Sequence, residues 1–294
     1  MRYWAAALVG ISLPGLCLAD KPAPNAEQCA ALEKALSTAG TQSGKASIIR
    51  MIEEVALGRT DSINPEAETE AGLAPGTVHQ QVFADPGVRA CALRTIGRSD
   101  LPEAVDFLGR LRPEDVGPDQ TQMVWPAAQV ALREAKLRRI ADAGARTEFL
   151  EHTVTERHDA VSNGAVTWWA VDELCNSGSQ PSLPVLQESI RRTYSGQRGE
   201  DEVEFCEARI RVVLRNSDRV KALGSVLNVA GDTTNTRLIW WAVNQLGSMR
   251  SVGADAELDR FARELEGLPP GSPEKASLRA YQQWILALES RRPR

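Results

Sequence analysis

The sequence predicts an all-α chain, a right-handed α-solenoid of stacked helix pairs. Two segments carry this first: TWWAVDELC from Thr167 and IWWAVNQLG from Ile239 align Ala170-Val171 and Leu174 with Ala242-Val243 and Leu246, 72 residues apart. A third copy begins at Asp85, where Ala92, Ile96 and Gly97 take the places of Ala242, Leu246 and Gly247. A weaker fourth, MVWPAAQVAL from Met123, sets Ala128 36 residues after Ala92, half the longer step. Steps of this length suit one helix–turn–helix unit per repeat. Apolar residues recur at helical spacing, and nothing reads as a run of strands.

Taken in order, the chain opens with Arg2, the apolar run YWAAALVGISL and a break at Pro14-Gly15. The run is too short to span a bilayer and fits a secretory signal at 1–19, cut at Ala19–Asp20 after the small residues Cys17 and Ala19. Bulky Leu16 before Cys17 argues against a lipoprotein signal. Residues 20–294 then form one helical domain, exported to the periplasm or secreted. Helices are expected near 26–38, 44–57, 87–97, 102–111, 119–140, 144–157, 164–176, 183–195, 201–215, 218–229, 234–248, 253–266 and 273–290. The stretch 58–84 is poorly periodic and is expected as an irregular insertion of about ten residues in the repeat step. In 201–215, acids (Glu200, Asp201, Glu202, Glu204) precede bases (Arg209, Arg211, Arg215), which matches the helix dipole and predicts a solvated face rather than an anion site. Ser272-Pro273-Glu274 is a helix start: a cap, a first-turn proline and a first-turn acid.

Residues Asp85 to Leu111 read Asp-Pro, two residues, Val-Arg, two residues, Ala, three residues, Ile-Gly, then a turn with Asp100 and Pro102 and a second helix carrying Ala104, Val105 and Leu108. This resembles the HEAT and HEAT-like repeat family over that one unit, with the other units degenerate. The resemblance implies the solenoid fold and a bias towards protein-binding scaffolds. It does not imply an activity, because fold and function are separable.

Export gives the cysteines a meaning. Beyond Cys17, four remain: Cys29, Cys91, Cys175 and Cys206. An even number in an oxidising compartment predicts two disulfides with three possible pairings, and nearest neighbours give Cys29–Cys91 and Cys175–Cys206. The competing reading is four buried thiols packing as small hydrophobes. No CxxC or Cys/His spacing points to zinc. A formal net charge of −5 argues against nucleic-acid or anionic-membrane binding.

On a helical wheel with Val166 at zero, Trp169, Ala170 and Leu174 fall on the core side and Trp168 falls near 200°. Leu238, Trp241, Ala242 and Leu246 repeat the pattern, with Trp240 pointing away. Trp169 and Trp241 are therefore expected in the core. Trp168 and Trp240 are expected on a common outer surface, either packing between repeats or anchoring a protein partner.

Signatures of catalysis are missing. His79, His152 and His158 lie outside any HExxH, and none is followed by the glutamate of the iron-binding His-Glu pairs found in some HEAT-like hydroxylases. His152, Glu156 and Asp159 are the only grouping that suggests a metal, and they define the alternative reading of an envelope enzyme with a site built from scattered residues. GTQSGKA from Gly40 is one residue short of a phosphate loop, and Ala46 replaces its Ser/Thr, so a turn between helices is expected. Ser272 to Lys275 spells SxxK without the companion boxes, and Ser272 is better read as a cap. The expectation is a non-enzymatic scaffold or inhibitor, without cofactor or metal, binding another protein.

Overall fold

The computed structural model describes residues 25–39, 41–117, 121–227, 235–249 and 251–267. The expected signal at 1–19, the Ser272 cap and the helix at 273–290 lie outside these residues. Among the described residues there are thirteen α-helices and no strand. They are α1 (Ala26–Thr38), α2 (Gln42–Leu57), α3 (Pro65–Glu70), α4 (Pro86–Gly97), α5 (Pro102–Arg110), α6 (Thr121–Arg138), α7 (Ala143–Thr155), α8 (Asn163–Ser177), α9 (Leu183–Thr193), α10 (Gln197–Leu214), α11 (Arg219–Val226), α12 (Thr236–Met249) and α13 (Val252–Glu266). None of the described helices is long and apolar enough to cross a membrane.

Local chemistry sets the boundaries. Thr41 Oγ1 accepts from the Gly44 amide at 3.0 Å and caps α2, so the phosphate-loop lookalike supplies a helix start. Asp85 caps α4 by accepting from the Gly87 amide at 2.8 Å, and Pro86 takes the first turn, where its missing N–H costs nothing. α2 ends at Gly58, in the left-handed region at φ 72°.

The chain divides into two compact units, one ending at Ala170 and one beginning at Val171, inside α8. In the first, α4 is central and packs on α1, α2, α5 and α6. Its core includes Leu32, Ile52, Val88, Leu93, Ile96, Leu108, Val124 and Ala128. Gly97 is where α4 and α6 approach most closely: a Cβ there would sit 2.6 Å from the Ala131 carbonyl oxygen. Arg89, the arginine of the Val-Arg motif, is only 5 % exposed. It donates from Nε to the Ala56 carbonyl at 2.9 Å and from Nη2 to the Val116 carbonyl at 3.1 Å, satisfying acceptors at the end of α2 and in the turn 113–116. In the second unit α10 packs on α9, α11 and α12, and α13 packs on α11 and α12. Leu223, Ala242, Leu246, Leu258 and Phe261 lie at the centre of one of its cores.

Four inter-helix polar contacts span 35 to 37 residues. Arg98 Nε meets Glu134 at 3.1 Å, 36 residues away, and Arg260 Nη2 meets the Gly224 carbonyl at 2.8 Å, also 36 away. Arg209 reaches Asp172 across 37 residues and Arg237 reaches Glu202 across 35. These four separations lie close to the 36 residues between Ala92 and Ala128.

The segment 58–84 differs from expectation. It contains α3, which packs on α2, and it places Ile63, Ala71, Val78 and Phe83 in the first core. Its organiser is Glu68, 0 % exposed, whose carboxylate accepts from the Val78 amide at 2.7 Å and from the Gly76 amide. A carboxylate that takes backbone N–H groups orders a loop lacking helical periodicity.

Candidate functional site

The tryptophan helices are the first candidates. In α8, Val166, Trp169, Ala170 and Leu174 are buried and Trp168 is half-buried, as the wheel expects. In α12, Leu238, Ala242 and Leu246 are buried, but Trp240 and Trp241 are both half-buried. Trp241 is therefore not the core residue expected; it meets Phe205 edge-to-face, with centroids 5.8 Å apart at 86°. Trp240 packs against the cluster of Leu223, Val243 and Leu246 while keeping part of its surface in water. The wheel fixes only the Cα–Cβ direction, and an indole is long enough to lie back over its helix flank. Neither Trp168 nor Trp240 stands free of its surroundings.

Phe205 is the hub of a polar–aromatic cluster in the second unit. Arg209 lies 5.3 Å from the centre of its ring and Arg237 4.6 Å from it. Arg209 donates to Asp172 Oδ1 at 2.6 Å and to Asn176 Oδ1, joining α10 to α8; Arg237 donates to Glu202, joining α12 to α10. Burial pushes the Glu202 carboxyl above the usual glutamate range, and Arg237 opposes that shift. The solvated face expected for α10 is corrected at Glu202 and Arg209, which are buried. The signal was in the sequence as opposite charges one repeat step apart.

Around α7 and α8 the three residues of the metal reading, His152, Glu156 and Asp159, are all exposed. Asp159 is committed to local bonds: it accepts from the Val161 and Ser162 amides at 3.1 and 3.0 Å and from Ser162 Oγ. Burial opposes its ionisation, but the bonds from Ser162, Val161 and Trp125 hold its carboxyl below the usual range. The histidine drawn inward is His158. Its Nε2 lies 2.9 Å from the Thr153 carbonyl, which can only accept, so Nε2 carries the proton; Nδ1 then accepts from Arg133 Nη2 at 3.0 Å. Among the described residues no three His, Cys, Asp or Glu side chains are grouped so as to hold a metal.

One of the two bonds that nearest-neighbour pairing expects is present. Cys175 and Cys206 are bonded, with Cα atoms 5.3 Å apart, and tie α8 to α10. Cys29 and Cys91 are two half-buried free thiols, so the second expected bond is open in this structure.

Where the 178–183 turn and α9 meet α10, an open groove of about 380 Å3 is lined by Leu183, Glu207, Ile210, Arg211, Leu214 and Arg215. Leu214 is 58 % exposed and Val213 beside it 40 %, two of the most exposed large apolar residues described. Polar-rimmed apolar surface of this kind suits protein contact. Periodicity could not find it, because it forms where a helix end meets a turn.

No protein-family model, curated protein or solved structure matches this chain.

Proposed function

We propose that the chain is an exported protein-binding scaffold or inhibitor, built as a right-handed HEAT-like α-solenoid of helix pairs. The observation that carries this reading is the repeated tryptophan helix: in each copy the first indole keeps part of its surface in water, on a helix whose other face is packed. Aromatic side chains half-held by a core are suited to act as interface anchors, since little rotamer freedom remains to be lost on binding. The near-constant pairing step of 35 to 37 residues supports the repeat reading. The Cys175–Cys206 bond supports an oxidising compartment, and the N-terminal pattern supports a cleaved signal. Partner binding on such a surface needs no cofactor, nucleic acid or membrane insertion.

The test is affinity capture from the native envelope fraction, with a bait beginning at Asp20, comparing wild type with Trp168→Ala/Trp240→Ala. The expected result is one or more partners retained by the wild type and weakened about thirtyfold per anchor, the equivalent of about 2 kcal/mol. A double variant that keeps its circular dichroism spectrum and captures the same partners equally well refutes the surface.

A further inference from the structure

We infer that Cys29 and Cys91 form a thiol–disulfide exchange site, a dithiol that an external disulfide oxidises and that, once closed, locks α1 onto α4. The placement of the two helices carries the inference. At one end of the α1–α4 contact, Asn25 Nδ2 donates to Asp85 Oδ1 at 2.7 Å. At the other, Arg98 Nη1 meets Glu33 Oε1 at 3.1 Å. Cys29 lies between Asn25 and Glu33 on α1, and Cys91 lies between Asp85 and Arg98 on α4. The helices pack on each other and are fastened on both sides of the two thiols, which lie 62 positions apart in the chain. Closing the bond requires little movement of α1, and opening it leaves α1 held by the two flanking pairs.

Accessibility separates this pair from the other. Cys175 and Cys206 are 1 % and 2 % exposed and already bonded, as a structural disulfide should be. Cys29 and Cys91 are each half-buried, open to an attacking or attacked sulfur. Their surroundings also divide the roles. The hydrogen bond from the Cys91 thiol lowers the Cys29 pKa, against burial and the carboxylates of Glu33 and Asp85. The same bond raises that of Cys91, as does burial. Cys29 also lies in the first turn of α1, where the helix dipole favours a thiolate, whereas Cys91 lies in the middle of α4, so Cys29 is taken as the attacking sulfur and Cys91 as the resolving one.

The reaction balances with a small-molecule or protein disulfide as oxidant. The Cys29 thiolate attacks one sulfur of R–S–S–R′, forming Cys29–S–S–R and expelling R′–S⁻. Cys91, losing its proton, attacks Cys29 Sγ, forms the intramolecular bond and expels R–S⁻. The two protons given up by the cysteines end on the two expelled thiols, and two electrons pass from the protein to the oxidant.

The experiment uses the folded chain from Asp20, exposed in turn to reduced and oxidised glutathione and analysed by thiol titration and non-reducing peptide mapping. In reduced glutathione the wild type should show two titratable thiols, Cys29 and Cys91, with Cys175–Cys206 still closed. In oxidised glutathione both thiols should be lost and a Cys29–Cys91 peptide should form. The variant Cys91→Ser should instead accumulate a glutathione adduct on Cys29, whereas Cys29→Ser should be modified at Cys91 at least about tenfold more slowly, given the difference in thiolate character. A wild type that never forms the Cys29–Cys91 peptide, or whose pair stays closed in reduced glutathione as firmly as Cys175–Cys206, overturns the exchange site. Equal adduct rates in the two variants overturn the assigned roles. The wild-type measurements stand even where a variant folds poorly.

Discussion

Substituting alanine for glycine in a helix normally stabilises it, and in this protein the sign should depend on which glycine is changed. At Gly97, the last residue of α4, a new Cβ would stand 2.6 Å from the Ala131 carbonyl oxygen, 2.8 Å from its Cα and 2.9 Å from its Cβ. All three atoms belong to the α6 backbone or its first side-chain carbon, so no rotamer change relieves the contact. Restoring ordinary separation requires the helices to part by roughly 1 Å. Overpacking of this kind costs about 1–3 kcal/mol. The gain in helix propensity is at most about 1 kcal/mol and smaller at a helix end. Gly97→Ala should therefore destabilise by about 1–2 kcal/mol, lowering Tm by roughly 3–8 °C for a unit of this size. Gly109 in α5 is the control: a Cβ there meets only Leu132 Cδ1, at 4.0 Å. Gly109→Ala should stabilise by about 0.4–1 kcal/mol. The assay is thermal unfolding followed by circular dichroism at 222 nm (the helical band), with urea denaturation in parallel. If Gly97→Ala is as stable as wild type, or Gly109→Ala loses as much as Gly97→Ala, the α4–α6 contact is not the tight one argued here.

Glu68→Ala should leave the buried Val78 amide without its acceptor, at a cost of about 1–3 kcal/mol, while the exposed Gly76 amide can turn to water, and hydrogen exchange should show protection lost first at Val78. Cys175→Ser/Cys206→Ser should lose about 3–4 kcal/mol in urea denaturation, the chain-entropy value for a bond across 31 residues; a loss under about 1 kcal/mol would point to a constrained unfolded state. Glu202 has a folded pKa above its unfolded one, so its contribution is full below the ordinary glutamate pKa and is lost as pH rises through the folded value. The urea midpoint of Glu202→Gln should accordingly fall less steeply than that of wild type as pH rises above the ordinary glutamate range, and parallel curves would refute the assignment.

The helices were legible because helix formation here is a local matter of apolar spacing, first-turn prolines and caps such as Asp85, all visible within a few residues. The segment 58–84 was legible only in part: α3 has a local start in its Asn64 cap and first-turn Pro65, but the rest is ordered by one buried carboxylate gathering amides eight and ten residues ahead, and such a bond leaves no period. The Cys175–Cys206 bond was reached by the simplest rule, pairing of nearest neighbours, and Cys29 and Cys91 lie on α1 and α4, which pack together. What the sequence could not state is that one pair is buried and bonded while the other lies half-exposed and open.

The charged residues of α10 show why burial is harder to read than helicity. Alone, Glu200 to Arg215 sorts by sign along the helix axis, and the dipole accounts for it. The repeat step adds a second constraint across the axis. A residue on one helix faces its counterpart about 36 positions away, so the relevant partner of Arg209 is Asp172 and that of Glu202 is Arg237. Both pairs close on Phe205, whose ring takes two guanidinium groups, one from buried Arg209 and one from exposed Arg237. The same logic reaches the tryptophans. Trp241 is held by Phe205 from α10, an element 36 residues earlier in the chain, and its position follows from that neighbour more than from its own wheel. The inward face of a helix is decided jointly by the helix and by the elements that pack on it. A periodicity analysis that aligns charges and aromatics at the repeat step, as well as at the helical one, would have placed Glu202, Arg209 and Trp241 correctly.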